Sequence, residues 1–234
     1  MLTLILVLLV LPLCRAAEPN TLSKAEQDAG WKLLFDGKMT EGWLEVTGKP
    51  FPSTWTVEDG CLKAIATGTG FQDLRTIDVY RSFEFAFDWK IEPKGNSGVK
   101  YLLQRVDEWN NKTGRQSRAR GFEYQLADDA NEEASDATRS AGSLYSAIAP
   151  SQRVHPAIST FNQSRIIVKG QHVEHWLNGT KVVEYETNAP VVTALIRRMN
   201  KSGEAVNIPA ESPICLQNHD SPVWFCNLKV RRLD

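Results

Sequence analysis

No charge of either sign dominates this chain: 27 Lys and Arg stand against 28 Asp and Glu in 234 residues, a net charge of −1. Nucleic-acid binding rests on a clustered basic surplus, and the composition carries no footprint of such a partner. Four cysteines are too few for a small disulfide-framed domain. Helical periodicity is missing over any long window, and only 22–28 has the makings of a single helical turn. Also missing are a Ser-His-Asp signature, a phosphate-cradling glycine loop and an HExxH zinc motif. Disorder is excluded as well, because 42% of the residues are hydrophobic and only 24% charged.

Long apolar runs are scarce too. Residues 2–13 are apolar except for Thr3, a stretch too short to cross a bilayer. Cys14 and Ala16 then stand at the two small positions that a signal peptidase reads. The expected organisation is a signal peptide at 1–16, a polar linker or surface turn at 17–29, and one domain at 30–234. That makes the protein exported, with no membrane attachment beyond the export signal. Cleavage after Ala16 leaves Cys61, Cys215 and Cys226, which cannot all pair. Cys215 and Cys226 either form one bridge or stay as buried thiols in strands. Their spacing matches no zinc pattern, even with His219 counted.

What the chain has in abundance is period-two alternation. In 82–91, Phe83, Phe85, Phe87, Trp89 and Ile91 alternate with Glu84, Ala86, Asp88 and Lys90, so one aromatic face must lie on a core. Further strands are expected at 99–104, 122–126, 165–168, 172–177, 181–186, 214–217 and 223–231. Asn178-Gly179 joins two of them as a two-residue hairpin turn, because both residues tolerate positive φ. Many strands, polar turns and no intervening helices predict an all-β fold, an antiparallel sandwich or jelly roll. Two stretches interrupt the pattern, a basic one at 105–120 and an acidic one at 127–140. Both are expected as long loops, either functional or pairing with each other.

The segment Gly121-Phe122-Glu123-Tyr124-Gln125 draws most attention. With Phe122 and Tyr124 on the core, Glu123 and Gln125 share the opposite face, roughly 7 Å apart. Lys100 alternates with Tyr101 on a neighbouring strand and can face the same groove. His219, at a strand end beside Asp220, suits an acid–base role. His175 falls on an apolar face with Val173 and Leu177, the place of a hydrogen-bonded core histidine. Trp176 faces the other way and joins the substrate-binding candidates, since flat indoles line many sugar sites. The seven Trp of the chain are otherwise candidates for core packing. The acidic stretch 128–136 lacks the glycine turn of a Ca²⁺ loop and reads as solvated charge.

Several ordered blocks carry a family likeness. Gly30-Trp31-Lys32-Leu33-Leu34-Phe35-Asp36-Gly37 followed by Gly42-Trp43, Asn96-Ser97-Gly98-Val99, the Glu123 segment and Ala141-Gly142-Ser143-Leu144-Tyr145 are four of them. His175-Trp176-Leu177-Asn178-Gly179 and 214–219 through 223–227 complete the set. Over about 30–233 the chain resembles the 3-keto-disaccharide hydrolase family. The resemblance implies a concanavalin A-like jelly roll, export from a bacterium, and action on sugars already oxidised at C3. A C3 ketone acidifies the C2 proton, so a base can remove it and the C1 substituent leaves by elimination, with water adding afterwards. This route calls for a base, a group steadying the enolate oxygen and an acid for the leaving oxygen, and for no metal or cofactor. The roles fall on Glu123 as base, Lys100 or His219 at the enolate oxygen, and Tyr145 or His219 as acid. Gln125, Gln217, Asn96 and Trp176 would hold the saccharide. The competing readings are an ordinary two-carboxylate glycoside hydrolase, for which Glu123 has no partner in its own strand, and a carbohydrate-binding module without catalysis.

Overall fold

The computed structural model describes residues 18–68, 70–200 and 208–234, so the expected signal peptide at 1–16 lies outside the described residues. The strands are β1 (Lys32–Leu33), β2 (Trp43–Glu45), β3 (Trp55–Glu58), β4 (Cys61–Ala64), β5 (Leu74–Thr76), β6 (Phe83–Ile91) and β7 (Asn96–Asn111). They continue with β8 (Gly114–Ala127), β9 (Asn162–Lys169), β10 (His172–Leu177), β11 (Thr180–Glu186), β12 (Cys215–Leu216) and β13 (Val223–Arg232). Two sheets result. One runs β11-β10-β9-β6-β13-β4-β3, with β1 also on β13; the other runs β2-β5-β12-β7-β8. Every pairing between these strands is antiparallel, as an all-β sandwich requires.

The alternation of β6 holds: Phe83, Phe85, Phe87, Trp89 and Ile91 are all buried. Burial of each such side chain contributes roughly 1.5–3 kcal/mol. The facing sheet supplies Val99, Tyr101, Phe122, Tyr124 and Leu126. Phe87 meets Tyr124 edge-on at 5.7 Å, and Phe83 meets Tyr101 in the same manner at 6.5 Å. The polar atoms of these rings have partners. Trp89 Nε1 donates to Ser164 Oγ at 2.8 Å, and Tyr124 Oη lies 2.8 Å from the same hydroxyl.

His175 is the hydrogen-bonded core histidine that alternation predicts. Its Nε2 lies 2.5 Å from Tyr101 Oη and its Nδ1 lies 2.9 Å from the Gly142 carbonyl. Burial pushes its pKa down to about 4, so the ring is neutral. Nδ1–H then donates to Gly142 and Nε2 accepts from Tyr101. The turn at Asn178-Gly179 also forms as expected, with φ of 47° and 79°.

Other expectations need correction. The basic stretch 105–120 is not a loop but the far half of the β7–β8 hairpin, turning at 112–113. Its arginines pair locally: Arg105 and Arg120 with Asp107, and Arg115 with Glu45 and Glu108. The acidic stretch contains two short 3₁₀ turns at Glu132–Ser135 and Ala137–Arg139, and three of its carboxylates are spent on nearby donors. Asp128 accepts from the Lys94 amide, Asp129 pairs with Arg153 and His155, and Asp136 caps Thr138. A helix, α2 (Pro190–Met199), follows β11, with Pro190 at its first position and Val192, Leu195 and Ile196 buried. Residues 18–29 dock on the sandwich instead of linking to it. Asn20 exchanges hydrogen bonds with Asn227 and donates to the Gly60 carbonyl, and a capping box at Ser23 starts α1 (Lys24–Asp28).

The disulfide is between Cys61 and Cys226, not Cys215 and Cys226. β4 lies beside β13 with Leu62 opposite Phe225, which brings Cys61 next to Cys226 at a Cα separation of 4.7 Å. Cys215 sits on β12 in the other sheet and stays a buried thiol. Four of the Trp (Trp43, Trp55, Trp89 and Trp224) are buried, the commoner fate of indoles. No helix among the described residues is long and apolar enough to cross a membrane.

Candidate active site

The site is built on the outer face of the five-stranded sheet. Antiparallel pairing sets Cys215 opposite both Arg75 and Lys100, and Lys100 opposite Glu123, so these four form one row across the strands. The next row holds Gln217, whose amide donates to the Gly98 carbonyl at 2.9 Å, then Gly98 and Gln125. Asn96 follows, accepting from Gln125 Nε2 at 3.1 Å. Gly98 leaves room for the base. A Cβ there would stand 2.9 Å from Glu123 Cγ and 3.0 Å from Cδ, closer than real contacts allow.

Strict alternation would send Arg120 to the face opposite Glu123. The ladder, however, shifts register between Tyr101 and Arg105, where Leu102 has a positive φ of 48°. At this point the bulged strand passes so close to Gly121 that a Cβ would lie 2.7 Å from the Tyr101 carbonyl oxygen. The slip in phase turns Arg118, Arg120 and Glu123 toward the same pocket of ≈ 100 Å³. Asn96, Glu133, Tyr145, Gln217 and His219 complete its lining. Tyr145 is held there because residues 142–145 pair with β8. Gly142 N donates to the Gln125 carbonyl and Tyr145 N to the Glu123 carbonyl, at 2.9 and 3.0 Å.

Electrostatics separates these groups. Glu123 is half-buried, and no hydrogen bond engages its carboxylate among the described residues. Desolvation raises its pKa above the ordinary value, with Lys100 opposing and Asp73 reinforcing the shift. The His219 imidazole is held below its usual value by desolvation and by the Arg118 and Lys100 cations, so it is neutral near pH 7. His219 stacks on Phe71 at 6.2 Å, and the same ring carries the Arg118 guanidinium at 4.5 Å. Tyr145 donates its hydroxyl to Glu133 Oε2 at 2.8 Å, and burial first, then that carboxylate, push its pKa up to about 12. Two buried amide oxygens, Gln125 Oε1 and Gln217 Oε1, have no hydrogen-bond partner among the described residues. Gln217 lines the pocket, where an unsatisfied acceptor suits the hydroxyl donors of a sugar.

Of the residues singled out from sequence, Asn96, Glu123, Tyr145, Gln217 and His219 meet in this pocket. Gln125 does not reach it: the side chain is 0% exposed and donates to Asn96 from behind the pocket wall, so the expected contact with saccharide is corrected. Lys100 is not on the pocket surface. Its side chain is 2% exposed and its ammonium donates to Asp73 Oδ2 at 2.8 Å, while Asp73, 0% exposed, also accepts from the Ala119 and Asn218 backbone amides. Lys100 thus acts on Glu123 as a charge from below, not as a ligand for substrate oxygen. Trp176 is elsewhere, and the expectation for it is corrected. On β10 it faces away from the core, in a separate groove of ≈ 560 Å³ on the outer side of the eight-stranded sheet. There it takes the Arg165 guanidinium at 4.5 Å and donates to Glu174 Oε2. Arg118, Arg120 and Glu133 were not picked out beforehand. The two arginines were visible only as part of a basic stretch, and nothing in the acidic stretch distinguishes Glu133 from its neighbours.

The arrangement provides one unengaged carboxylate of raised pKa, two guanidiniums beside it, a phenol that keeps its proton and a neutral imidazole. It can take a proton from carbon and stabilise the negative charge that develops.

Comparison with known proteins gives the family. A 3-keto-disaccharide hydrolase of Bacteroides thetaiotaomicron is 30% identical over 94% of this chain and 84% of its own length. A crystal structure of a Parabacteroides distasonis protein, provisionally designated a glycosyl hydrolase, superposes with a TM-score of 0.76. It is 29% identical and covers 93% of this chain and 100% of its own. A second protein of that organism with the same designation gives a TM-score of 0.64 at 26% identity, over 87% of this chain and 99% of its own. Residues 30–231 match the 3-keto-alpha-glucoside-1,2-lyase-like domain, and the chain belongs to that family.

Proposed function

We propose that this protein cleaves the glycosidic bond of glycosides already oxidised to a ketone at C3. The observation that carries the reading is Glu123, a carboxylate of raised pKa free of hydrogen bonds among the described residues, with Arg118 and Arg120 lining the same pocket. Glu123 removes the C2 proton, and the electrons of that C–H bond form the enolate of the C3 ketone. Arg118 and the neutral His219 imidazole stabilise the enolate oxygen. The enolate collapses to the ketone, a C1–C2 double bond forms and the C1–O bond breaks. Tyr145 protonates the departing oxygen and is itself oriented by Glu133. Addition of water across the new double bond completes a net hydrolysis. Asn96 and Gln217 hold the sugar hydroxyls, Gln217 through its unpartnered oxygen.

The family match and the curated relative support chemistry on 3-keto sugars. We also propose that the protein works outside the cytoplasm. The Cys61–Cys226 bridge supports this, since such bonds persist in oxidising compartments.

Incubation with a glucoside and its 3-keto counterpart in D₂O, followed by NMR, tests the reading. The expected result is release of the leaving group from the keto sugar alone, with deuterium at C2. One observation favours a second reading. Glu133 brings another carboxylate to the pocket, as a two-carboxylate glycosidase needs. Cleavage of the unoxidised glucoside, abolished in Glu133→Gln, would establish that alternative instead.

A further inference from the structure

The catalytic pocket opens on two sides of different character. On one side a recess of ≈ 330 Å³ is lined by Asn96, Asn131, Glu133 and His219, groups suited to sugar hydroxyls. On the other, a recess of ≈ 340 Å³ shares Arg120, Glu123 and Tyr145 with the catalytic pocket. Its remaining polar wall is Arg105, Ser146 and Arg198, and its apolar wall includes Leu195 and Met199 of α2. Three guanidiniums thus surround one small space next to the proposed acid, Tyr145.

Glu123 shares the recess without a hydrogen bond to these cations, and the one carboxylate that does bond to them leaves them undersatisfied. Asp107 accepts from Arg105 Nε at 2.8 Å and from Arg120 Nε at 2.7 Å, so one carboxylate serves two guanidiniums and orients both from behind. Arg198 donates to the neutral Ser146 carbonyl at 2.6 Å. Arg105 Nη1 is buried and has no hydrogen-bond partner among the described residues. A buried, charged N–H without an acceptor is costly unless a ligand supplies one. Guanidinium forks match carboxylate and phosphate oxygens in geometry as well as charge.

We infer that the recess of Arg105, Arg120 and Arg198 is a leaving-group subsite for an anionic substituent, a carboxylate or phosphate, so that the preferred substrates are glycosides with an acidic aglycone. The inference rests on the proposed 3-keto-glycoside chemistry for its placement on the leaving-group side. The cations hold the anion while Leu195 and Met199 contact the carbon frame that bears it.

The test compares the 3-keto glucoside of 4-(carboxymethyl)phenol with its methyl ester, whose phenol leaves about equally well, and with the phosphonomethyl analogue. The acid is expected to exceed the ester in kcat/KM by about tenfold or more at low salt, mainly through KM. That ratio should fall as salt rises and approach one in Arg198→Gln and Arg105→Gln. Arg198 is exposed at the end of α2, so its variant keeps the fold if Arg105→Gln does not. The phosphonate arm distinguishes a phosphate-preferring subsite from a carboxylate-preferring one. An acid-to-ester ratio near one in the wild type, or one that both variants leave unchanged, overturns the subsite. If neither keto sugar turns over, the proposed reaction fails. The subsite is then judged by calorimetric binding of the unoxidised acid and ester, with the same expected ratio and the same loss in Arg198→Gln.

Discussion

Glu123 lies directly across the β7–β8 ladder from Lys100, yet Lys100 gives its ammonium to Asp73 and not to Glu123. The carboxylate therefore keeps its lone pairs free while a nearby cation moderates the cost of its ionisation. A Glu123–Lys100 ion pair would instead have lowered the basicity of Glu123 and tied it down.

Glu123→Gln is expected to lower turnover of a 3-keto glucoside by about 10²–10⁴-fold, the range for loss of a general base, with binding retained. The same change is expected to stabilise the fold at neutral pH. A carboxyl whose folded pKa is raised favours the protonated form, so its stability contribution is present below the unfolded value and lost as pH rises through the folded one. Thermal melts should show the variant's advantage at pH 7 and its disappearance below about pH 4. Full activity in this variant would remove Glu123 as the base.

The pH profile follows from the same shifts. kcat/KM should rise with pH through a single ionisation above 4.5, the ordinary glutamate value from which Glu123 is raised. Tyr145, pushed up to about 12, predicts no falling limb below about pH 10. A rate that declines between pH 5 and 8 would contradict an ionised base.

Gly98→Ala should move the base without touching it chemically. The added Cβ would crowd Glu123 Cγ and Cδ at 2.9 and 3.0 Å, and the side chain must rotate away. Loss of about tenfold or more in kcat with a small change in melting temperature is the expected signature, since misplacement by about 1 Å can cost about 10²-fold. Unchanged kcat would show that the carboxylate tolerates the shift.

Lys100→Met leaves the Asp73 carboxylate buried without its cation. Breaking a buried pair from one side costs about 3–5 kcal/mol, measurable by urea denaturation. Adding Asp73→Asn should recover part of that loss, because the orphaned charge is then gone.

Removing the disulfide by Cys61→Ser with Cys226→Ser is expected to cost about 2–4 kcal/mol, given the 165-residue separation of the two cysteines. Cys215 is buried and should react with thiol reagents only on unfolding. Rapid labelling of one thiol in the native protein would contradict that burial.

Alternation makes β6, β9 to β11, β13 and the near parts of β7 and β8 legible because each buries one face: Phe83 to Ile91 on β6, Val173 to Leu177 on β10. The short strands β1 to β5 are not, since two to four residues carry no period. The local signal for α2 is short, Pro190 ahead of Val192, Leu195, Ile196 and Met199 at helical spacing. The face shared by Glu123 and Gln125 followed from the same alternation, and so did the core position of His175. Arg120 did not follow, because the bulge opposite Gly121 breaks the parity on which such reasoning rests.

The sequence by itself determined an all-β sandwich, the aromatic core face of β6, and Glu123 with Gln125 on the face away from the core. Those are consequences of local period and side-chain polarity, which act between near neighbours. The tertiary structure alone decided which cysteine meets Cys226, that Lys100 is claimed by Asp73, that Trp176 lies on the wrong sheet for this site, and that Arg118, Arg120 and Glu133 converge on Glu123. The first three depend on strand order and register between segments tens of residues or more apart, and the convergence of the arginines on the bulge where β7 pairs with β8. No local pattern encodes that pairing; it is fixed only when the two sheets close on a common core.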